Sequence, residues 1–182
     1  EYQKKNSNAV ENQLDMLHRL ELKEEFYQPI ITRCQEKKII FLSTPHGGKP
    51  SVDFLESLNV MAYKIGSGDL TNYILLDKVS KTGKPIILST GMATLAEVRS
   101  ALKFLHSREN DQVIVLHCTT SYPCLFEDVN LAAMVTMMRK LDSPVGYSDH
   151  TLGNQAAIMA AALGAAAYEC HFTLDRNLPG PD

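Results

Sequence analysis

Two histidines in the C-terminal third of the chain follow short apolar runs and are well suited to bind a metal ion. His150 lies in Val145-Gly-Tyr-Ser-Asp-His-Thr151 and His171 in Ala167-Tyr-Glu-Cys-His-Phe-Thr173, with an alanine-rich segment of helical character between them. A strand–helix–strand unit places two parallel strands side by side, so both imidazoles are expected at the carboxyl ends of neighbouring strands. With Asp149 and Glu169 beside them, they could hold a divalent metal. The alternative is a pair of hydrogen-bonded histidines at a sheet end.

The rest of the chain repeats this alternation of strand and helix. The predicted strands are short, continuous apolar runs, typical of strands buried on both faces: Ile39–Ser43, Ala62–Ile65, Pro85–Leu88, Val113–Leu116, Val145–Tyr147 and Ala165–Glu169. Apolar periodicity predicts helices over residues 13–22, 23–38, 51–58, 71–82, 94–105 and 131–141, and Thr94-Leu-Ala-Glu97 predicts a capping box. Residues 1–12 carry no apolar period and are expected to form a loop. Six strand–helix units predict a parallel α/β architecture.

Such a sheet is either an open, doubly wound sheet or a (β/α)₈ TIM barrel. Gly66-Ser-Gly68 is only a weak match to a dinucleotide-binding fingerprint. Polar residues end every predicted strand instead of clustering at one switch point, which favours the barrel. Six units cannot close eight strands, so the sequence predicts an incomplete (β/α)₈ barrel, with residues 1–182 forming one partial barrel domain.

The ends of the predicted strands carry hydroxyl groups and one lysine, Lys64. A phosphate monoester needs several hydrogen-bond donors and a point charge, and these residue types supply both. Lys64 interrupts an apolar strand, so it requires a partner, and a bound anion would serve. The alternative partner is the carboxylate of Glu169 or Asp149. The candidate phosphate-binding residues are Ser43, Thr44, Lys64, Ser67, Ser89, Thr90, Thr119, Thr120 and Ser148.

Composition narrows the functional classes. The formal net charge of −3 over 182 residues gives no basic footprint, so neither nucleic acid nor an anionic membrane is an expected partner. No apolar run approaches the length of a membrane span, and Glu1-Tyr-Gln-Lys-Lys5 does not resemble a signal peptide. Four cysteines without a Cys-x-x-Cys spacing indicate reduced thiols, so a cytoplasmic location is expected.

Six motifs together resemble the sialic acid synthase (N-acetylneuraminate synthase) family. They occur in the family's order and spacing over nearly the whole chain: Ile40-Phe-Leu-Ser-Thr-Pro45, Tyr63-Lys-Ile-Gly-Ser-Gly-Asp69, Leu88-Ser-Thr-Gly-Met92, Tyr147-Ser-Asp-His-Thr151, His171-Phe-Thr-Leu-Asp175 and Leu178-Pro-Gly-Pro-Asp182. The resemblance implies a (β/α)₈ barrel, and a transferase that forms a carbon–carbon bond between phosphoenolpyruvate and an N-acetylated hexosamine such as N-acetylmannosamine, releasing phosphate.

The resemblance also implies a role for each matching residue. His150 and His171 would bind the divalent metal, with manganese expected and magnesium or cobalt as alternatives. Phosphoenolpyruvate would contact Lys64, Ser67, Ser89, Thr120 and Ser148, with Thr44 nearby. Tyr122, Glu169 and Asp182 would face the sugar and the reacting carbons; Glu169, Lys64 and Asp182 are therefore the catalytic candidates, and Glu169 is the candidate for proton transfer.

The chain also departs from the family pattern. His46-Gly-Gly48 stands where an aromatic residue and an acid are usual, and Cys170 stands where a lysine or arginine is usual. The family's first two strands and its C-terminal antifreeze-like domain have no counterpart, and the homodimer is expected of the full-length protein. Three alternatives stay open: a pseudaminate or legionaminate synthase, an inactive truncated barrel that binds only metal or phosphate, and an aldolase or isomerase with a Schiff-base lysine at Lys64.

Overall fold

The structure, a computed structural model, describes residues 12–178. The chain divides into two compact units. The larger unit is Leu42–His171, and the smaller comprises the described parts of Glu1–Phe41 and Phe172–Asp182. The loop predicted for residues 1–12 lies almost wholly outside the described residues, as does the candidate site residue Asp182.

The smaller unit contains two helices. Helix α1, Gln13–Leu20, begins after Asn12, whose side chain accepts a hydrogen bond from Asp15 N and so caps the helix. A 3₁₀ turn, Glu24–Phe26, leads into α2, Tyr27–Glu36. Pro29 falls in the first turn of α2, where its missing N–H removes no hydrogen bond within the helix. The α-helix predicted from residue 23 therefore starts at Tyr27, after the 3₁₀ turn.

The larger unit is built on a parallel sheet of five strands in chain order, β1-β2-β3-β4-β5. This confirms the predicted parallel α/β class. A sheet whose strands follow one another without a reversal of order has its right-handed crossovers on one side, and this sheet therefore lacks the switch point of a doubly wound sheet. The strands are β1 Tyr63–Ile65, β2 Ile86–Ser89, β3 Val113–Cys118, β4 Val145–Asp149 and β5 Tyr168–Cys170.

Helices precede and connect these strands. The predicted capping box at α5 is present: Thr94 accepts from Glu97 N, and the Glu97 carboxylate accepts from Thr94 N at 2.7 Å. Among residues 12–178, no helix is long and apolar enough to cross a membrane. The helices of this unit are α3 Lys49–Ser57, α4 Tyr73–Ser80, α5 Leu95–Ser107, α6 Leu131–Lys140 and α7 Gln155–Ala162.

The first predicted strand, Ile39–Ser43, is wrong as a regular strand. Ser43 alone forms an isolated parallel bridge, to Tyr63. Ile39 and Ile40 are 62% and 61% exposed, so the apolar run that predicted a buried strand is not buried. The described chain therefore contains five of the six predicted strands.

The strand register separates the sheet into a face packed on the helices and a face that carries the candidate site. Tyr63, Ile65 and Leu88 are fully buried on the first face. The residues that alternate with them are Lys64 on β1, Ser89 on β2, Cys118 on β3, Ser148 on β4 and Glu169 on β5, and the register pairs place all five on the opposite face. The sheet thus aligns one polar side chain from each strand.

Candidate active site

Side chains from four strands meet on this polar face. The Lys64 ammonium donates to Ser89 Oγ at 2.7 Å and lies 3.5 Å from Glu169 Oε1. Ser148 Oγ donates to the same Glu169 oxygen at 2.8 Å. The Lys64 side chain is 16% exposed and that of Glu169 is 38% exposed, so the network is open at one side. The ion pair between Lys64 and Glu169, which the sequence left as an alternative to anion binding, is formed.

The loops after β1, β2 and β3 come together beside this network. Ser67, in the 3₁₀ turn after β1, accepts a hydrogen bond from Gly91 N at 2.9 Å and lies 3.4 Å from Cys118 Sγ. A Cβ atom on Gly91 would lie 2.4 Å from Thr120 Oγ1, which places Thr120 at the same point. The structure therefore brings the predicted residues Ser67 and Thr120 close to one glycine turn.

Thr44, the remaining predicted phosphate-binding residue, follows the isolated bridge at Ser43. The Ser43 carbonyl accepts a hydrogen bond from Lys64 N at 3.3 Å, and Thr44 itself is half-buried. Thr44 therefore directly follows Ser43, the residue whose carbonyl is hydrogen-bonded to the backbone of Lys64.

The second part of the site contains His150, His171 and Tyr122. The two imidazole centroids are 5.2 Å apart in an edge-on arrangement, and the Tyr122 ring lies 4.2 Å from His150 and 5.5 Å from His171. His150 Nδ1 is 2.8 Å from the Thr119 carbonyl. Because a carbonyl oxygen only accepts, Nδ1 carries the proton, and Nε2 is the nitrogen left for a ligand. Burial lowers the pKa of His150 and nearby His171 acts in the same direction, whereas the bond to Thr119 opposes them.

These histidines fit a divalent metal as part of its ligand set. A metal-bound histidine commonly donates its second ring N–H to a backbone carbonyl, as His150 does to Thr119. The rings are close enough for one ion to bind both. Within residues 12–178, no group of three or more His, Cys, Asp or Glu side chains is arranged around one metal position. Such an ion would take these two imidazoles as its ligands from the described residues, and its other coordination positions would be left for water or substrate.

Two features of the site were missed by the sequence reasoning. Asp149, proposed there as a neighbouring carboxylate, belongs to the helix-facing side of β4, because side chains alternate along a strand and Ser148 takes the other side. Cys118, a buried thiol that was assigned no role from the sequence, contacts Ser67 on the polar face. The alternation of side chains along β4 would have predicted the direction of Asp149, but only if the predicted strand had been extended from Tyr147 to residue 149.

The close packing around Gly91 gives a first prediction. A Cβ at this position would lie 2.4 Å from Thr120 Oγ1, 2.8 Å from Cys118 Sγ and 3.2 Å from the Cys118 carbonyl oxygen. We expect Gly91→Ala to lower the free energy of unfolding of the full-length protein by about 1–3 kcal/mol, the usual cost of overpacking, as measured by urea denaturation.

Gly68→Ala is the matched control for Gly91→Ala. A Cβ on Gly68 would meet its nearest neighbour, Met92 Cε, at an ordinary 3.6 Å. We expect this variant to change the free energy of unfolding by less than about 0.5 kcal/mol. Equal unfolding midpoints for the two variants would show that the turn at Gly91 has room for a side chain and would contradict the packing described here.

Comparison with known proteins places this geometry in a family. A sequence model of the NeuB family matches residues 1–182. The N,N'-diacetyllegionaminic acid synthase of Campylobacter jejuni is 44% identical over 183 residues, which cover 100% of this chain and 54% of that protein. The human N-acetylneuraminate-9-phosphate synthase is 36% identical over 165 residues, covering 90% of this chain and 45% of that protein.

A solved structure agrees with these sequence relatives. The crystal structure of the N-acetylneuraminic acid (sialic acid) synthetase from Leptospira borgpetersenii, in complex with citrate, superimposes with a TM-score of 0.88 at 32% identity, covering 98% of this chain and 62% of that chain. The chain spans about half the length of the curated relatives that it matches. On the family match over its whole length, and on relatives well above 30% identity, the chain belongs to the NeuB family.

Proposed function

We propose that this chain forms the phosphoenolpyruvate- and metal-binding part of a nonulosonic acid synthase. The reaction joins C3 of phosphoenolpyruvate to the aldehyde carbon of an N-acetylated aminosugar, consumes one water and releases inorganic phosphate. The observation that carries the proposal is that β4 and β5 each carry one residue of the polar network and are each followed directly by one of the two histidines. Ser148 on β4 and Glu169 on β5 share the polar face, and His150 and His171 are the first residues after the ends of these strands.

The anion subsite is assigned to the network around Lys64. Lys64 supplies the positive charge, and the hydroxyls of Ser89, Ser67, Thr120 and Ser148 supply donors, with Thr44 nearby. Ser89 accepts one of the three ammonium hydrogens of Lys64 at 2.7 Å, and the Ile65 carbonyl accepts a longer bond at 3.4 Å. The donor capacity now directed at Glu169 is therefore what Lys64 can offer to the phosphate or carboxylate of the substrate. Substrate binding therefore loosens the contact between Lys64 and Glu169, which at 3.5 Å is long for an ion pair.

The sugar subsite is assigned to Tyr122, Glu169 and Asp182, and the metal to His150 and His171. When bound there, manganese would polarise the sugar aldehyde as a Lewis acid; magnesium or cobalt are the alternatives. The position of Tyr122 against both imidazoles supports its assignment beside the reacting carbon of the sugar. Asp182 falls outside the described residues, and its role rests on the family resemblance.

Glu169 is assigned the proton transfer. As the C3–C1 bond forms, the aldehyde oxygen needs a proton, and the cation left at C2 takes up a water molecule. Glu169 removes a proton from this water and delivers it to the sugar oxygen. The resulting tetrahedral intermediate then loses phosphate, which departs with the remaining water proton and leaves the C2 ketone. Ser148, which donates to Glu169 Oε1 at 2.8 Å, holds the carboxylate in position for these transfers.

The acceptor sugar has two candidates. N-acetylmannosamine would give N-acetylneuraminate. A di-N-acetylated sugar would give N,N'-diacetyllegionaminate, and the identity to the Campylobacter synthase favours this second acceptor. In either case the product is a nonulosonic acid, formed in the cytoplasm.

The five-stranded sheet is proposed to be part of a (β/α)₈ barrel. Helix α7 supports this: it is made almost entirely of alanine, isoleucine and methionine, yet Ile158 is 64% exposed and Met159 57% exposed. A helix that is apolar all round is normally buried. Further barrel elements would cover α7 and pair with β5. The antifreeze-like domain and the homodimer of the full-length protein stay predictions.

The test is a phosphate-release assay on the full-length protein. We expect release only when phosphoenolpyruvate, an N-acetylated aminosugar and Mn²⁺ are all present. Chelation with EDTA should abolish it, and added Mn²⁺ should restore it. Phosphate release that is independent of the sugar would contradict the proposal.

Borohydride trapping separates a synthase from a Schiff-base aldolase. A synthase of the proposed kind forms no covalent bond to lysine, so we expect no labelled Lys64 after reduction in the presence of substrate. Trapping of substrate on Lys64 would favour the aldolase instead.

A further inference from the structure

Asp149 is the centre of a hydrogen-bonded cluster on the side of the sheet opposite the candidate active site, with Tyr147 buried and Tyr168 47% exposed. Its side chain is nearly fully buried, with the residue 4% exposed. Oδ1 accepts hydrogen bonds from Thr151 N at 2.9 Å and from the Tyr147 hydroxyl at 3.3 Å, and Oδ2 accepts from the Tyr168 hydroxyl at 3.1 Å. A buried carboxylate is costly unless it is hydrogen-bonded, and these three donors supply the compensation.

The cluster joins the two strands that carry the histidines. Tyr147 and Asp149 lie on β4, whereas Tyr168 lies on β5. In the register, Asp149 pairs with Cys170, and each of these residues immediately precedes a histidine. The hydrogen bond from Tyr168 to Asp149 therefore joins β5 to β4 at the ends of these strands, next to the residues His150 and His171 that follow them.

The backbone around His150 is fixed from both sides. The bond from Thr151 N to Asp149 holds the peptide that follows His150. The His150 carbonyl accepts from Cys124 N at 2.8 Å, and the ring is held by the Thr119 carbonyl at 2.8 Å. Of these contacts, only the one to Asp149 also connects to β5, through Tyr168.

We infer that Asp149 is a positioning residue for the two-histidine site: its hydrogen bonds to Thr151 N and the Tyr168 hydroxyl set the distance and orientation of His150 relative to His171. The inference deepens the proposed function and rests on the metal site assigned there. Partners behind a metal ligand typically change metal affinity by about 10–100-fold when removed. Such partners usually hydrogen-bond to the ligand's own side chain. Asp149 instead bonds to the backbone after His150 and, through Tyr168, to the neighbouring strand β5.

The test uses the full-length protein and measures Mn²⁺ affinity by electron paramagnetic resonance. We expect Asp149→Ala to weaken binding by about 10–100-fold, and Asp149→Asn to recover part of the loss because its amide oxygen can still accept from Thr151 N. Tyr168→Phe removes one hydroxyl and should weaken binding several-fold even if Asp149→Ala does not fold. Tyr73→Phe is the matched control: Tyr73 packs on Phe104, away from the cluster, and its variant should bind as the parent does.

A second readout does not depend on metal. Long-range ¹H–¹⁵N spectra of the metal-free protein report the tautomer of His150, which the bond to Thr119 fixes with the proton on Nδ1. We expect Tyr168→Phe and Asp149→Asn to show a mixture of tautomers, and Tyr73→Phe to show the parent state. Failure of the parent to bind Mn²⁺ would refute the metal site, whereas the tautomer would still decide the role of Asp149. Asp149 and Tyr168 variants that melt at lower temperature but keep the parent's tautomer and affinity would overturn the inference.

Discussion

Replacing either His150 or His171 with alanine is expected to weaken Mn²⁺ binding by more than about 100-fold, the upper range for loss of a residue that only hydrogen-bonds to a metal ligand. The reason is the small ligand set. Within the described residues these two imidazoles, 5.2 Å apart, are the side chains placed to share one ion, and no group of three or more potential ligands exists there. Isothermal titration of the metal-free full-length protein with Mn²⁺ measures the effect.

The controls for the histidine variants are direct. His106→Ala removes a histidine from the last turn of α5, and we expect it to bind Mn²⁺ as the parent does. The double variant His150→Ala/His171→Ala should be little worse than either single variant, because ligands of one ion are strongly coupled. If both single variants retain the parent's affinity, the two-histidine site is wrong.

Replacing Lys64 with alanine is expected to weaken phosphoenolpyruvate binding by about 1.5–3 kcal/mol, the value of a hydrogen bond to a charged group. Lys64 is the cationic side chain of the polar network, and the hydroxyls around it cannot replace its charge. The loss should be measured by calorimetry on the full-length protein, together with KM for phosphoenolpyruvate.

Two further variants show whether the loss of phosphoenolpyruvate affinity is specific to the charge at Lys64. Lys81→Ala removes the same charge from an exposed ion pair with Asp77, and we expect it to leave phosphoenolpyruvate affinity unchanged. Ser89→Ala removes a neutral partner and should cost less than Lys64→Ala, about 0.5–1.5 kcal/mol. Full affinity in the Lys64→Ala protein would reject the anion subsite.

The sheet could be predicted because its strands lie in short, largely apolar runs. β1 to β4 are mostly buried as expected, whereas β5 has Tyr168 and Cys170 exposed. The run at Ile39–Ser43 has the same composition, yet only Ser43 pairs, with Tyr63. Strand formation needs a partner strand in register, and this is a property of the tertiary structure that the local sequence does not contain. Strong helix boundaries, such as the capping box at Thr94, depend on local hydrogen bonds and were predicted correctly.

That several candidate residues lie close together could be predicted, but the contacts between them could not. Polar residues after apolar runs indicated the sheet edge, and the structure brings Lys64, Ser89, Ser148 and Glu169 together there. The predicted end of the fifth run at Tyr147 left Asp149 in a loop, where its direction is undefined. Because β4 continues to Asp149, alternation turns this carboxylate toward the helices, away from the histidines that neighbour it in sequence.

The proposed synthase activity is tested most directly by following the three carbons of phosphoenolpyruvate into the product. The full-length protein is incubated with Mn²⁺, an N-acetylated aminosugar and phosphoenolpyruvate labelled with ¹³C at all three carbons, and the products are analysed by mass spectrometry. If the protein is the proposed synthase, the product is a nonulosonic acid that carries all three labelled carbons joined to the sugar, together with unlabelled phosphate in equal amount. Labelled pyruvate with the sugar recovered unchanged would show hydrolysis without carbon–carbon bond formation and would contradict the account.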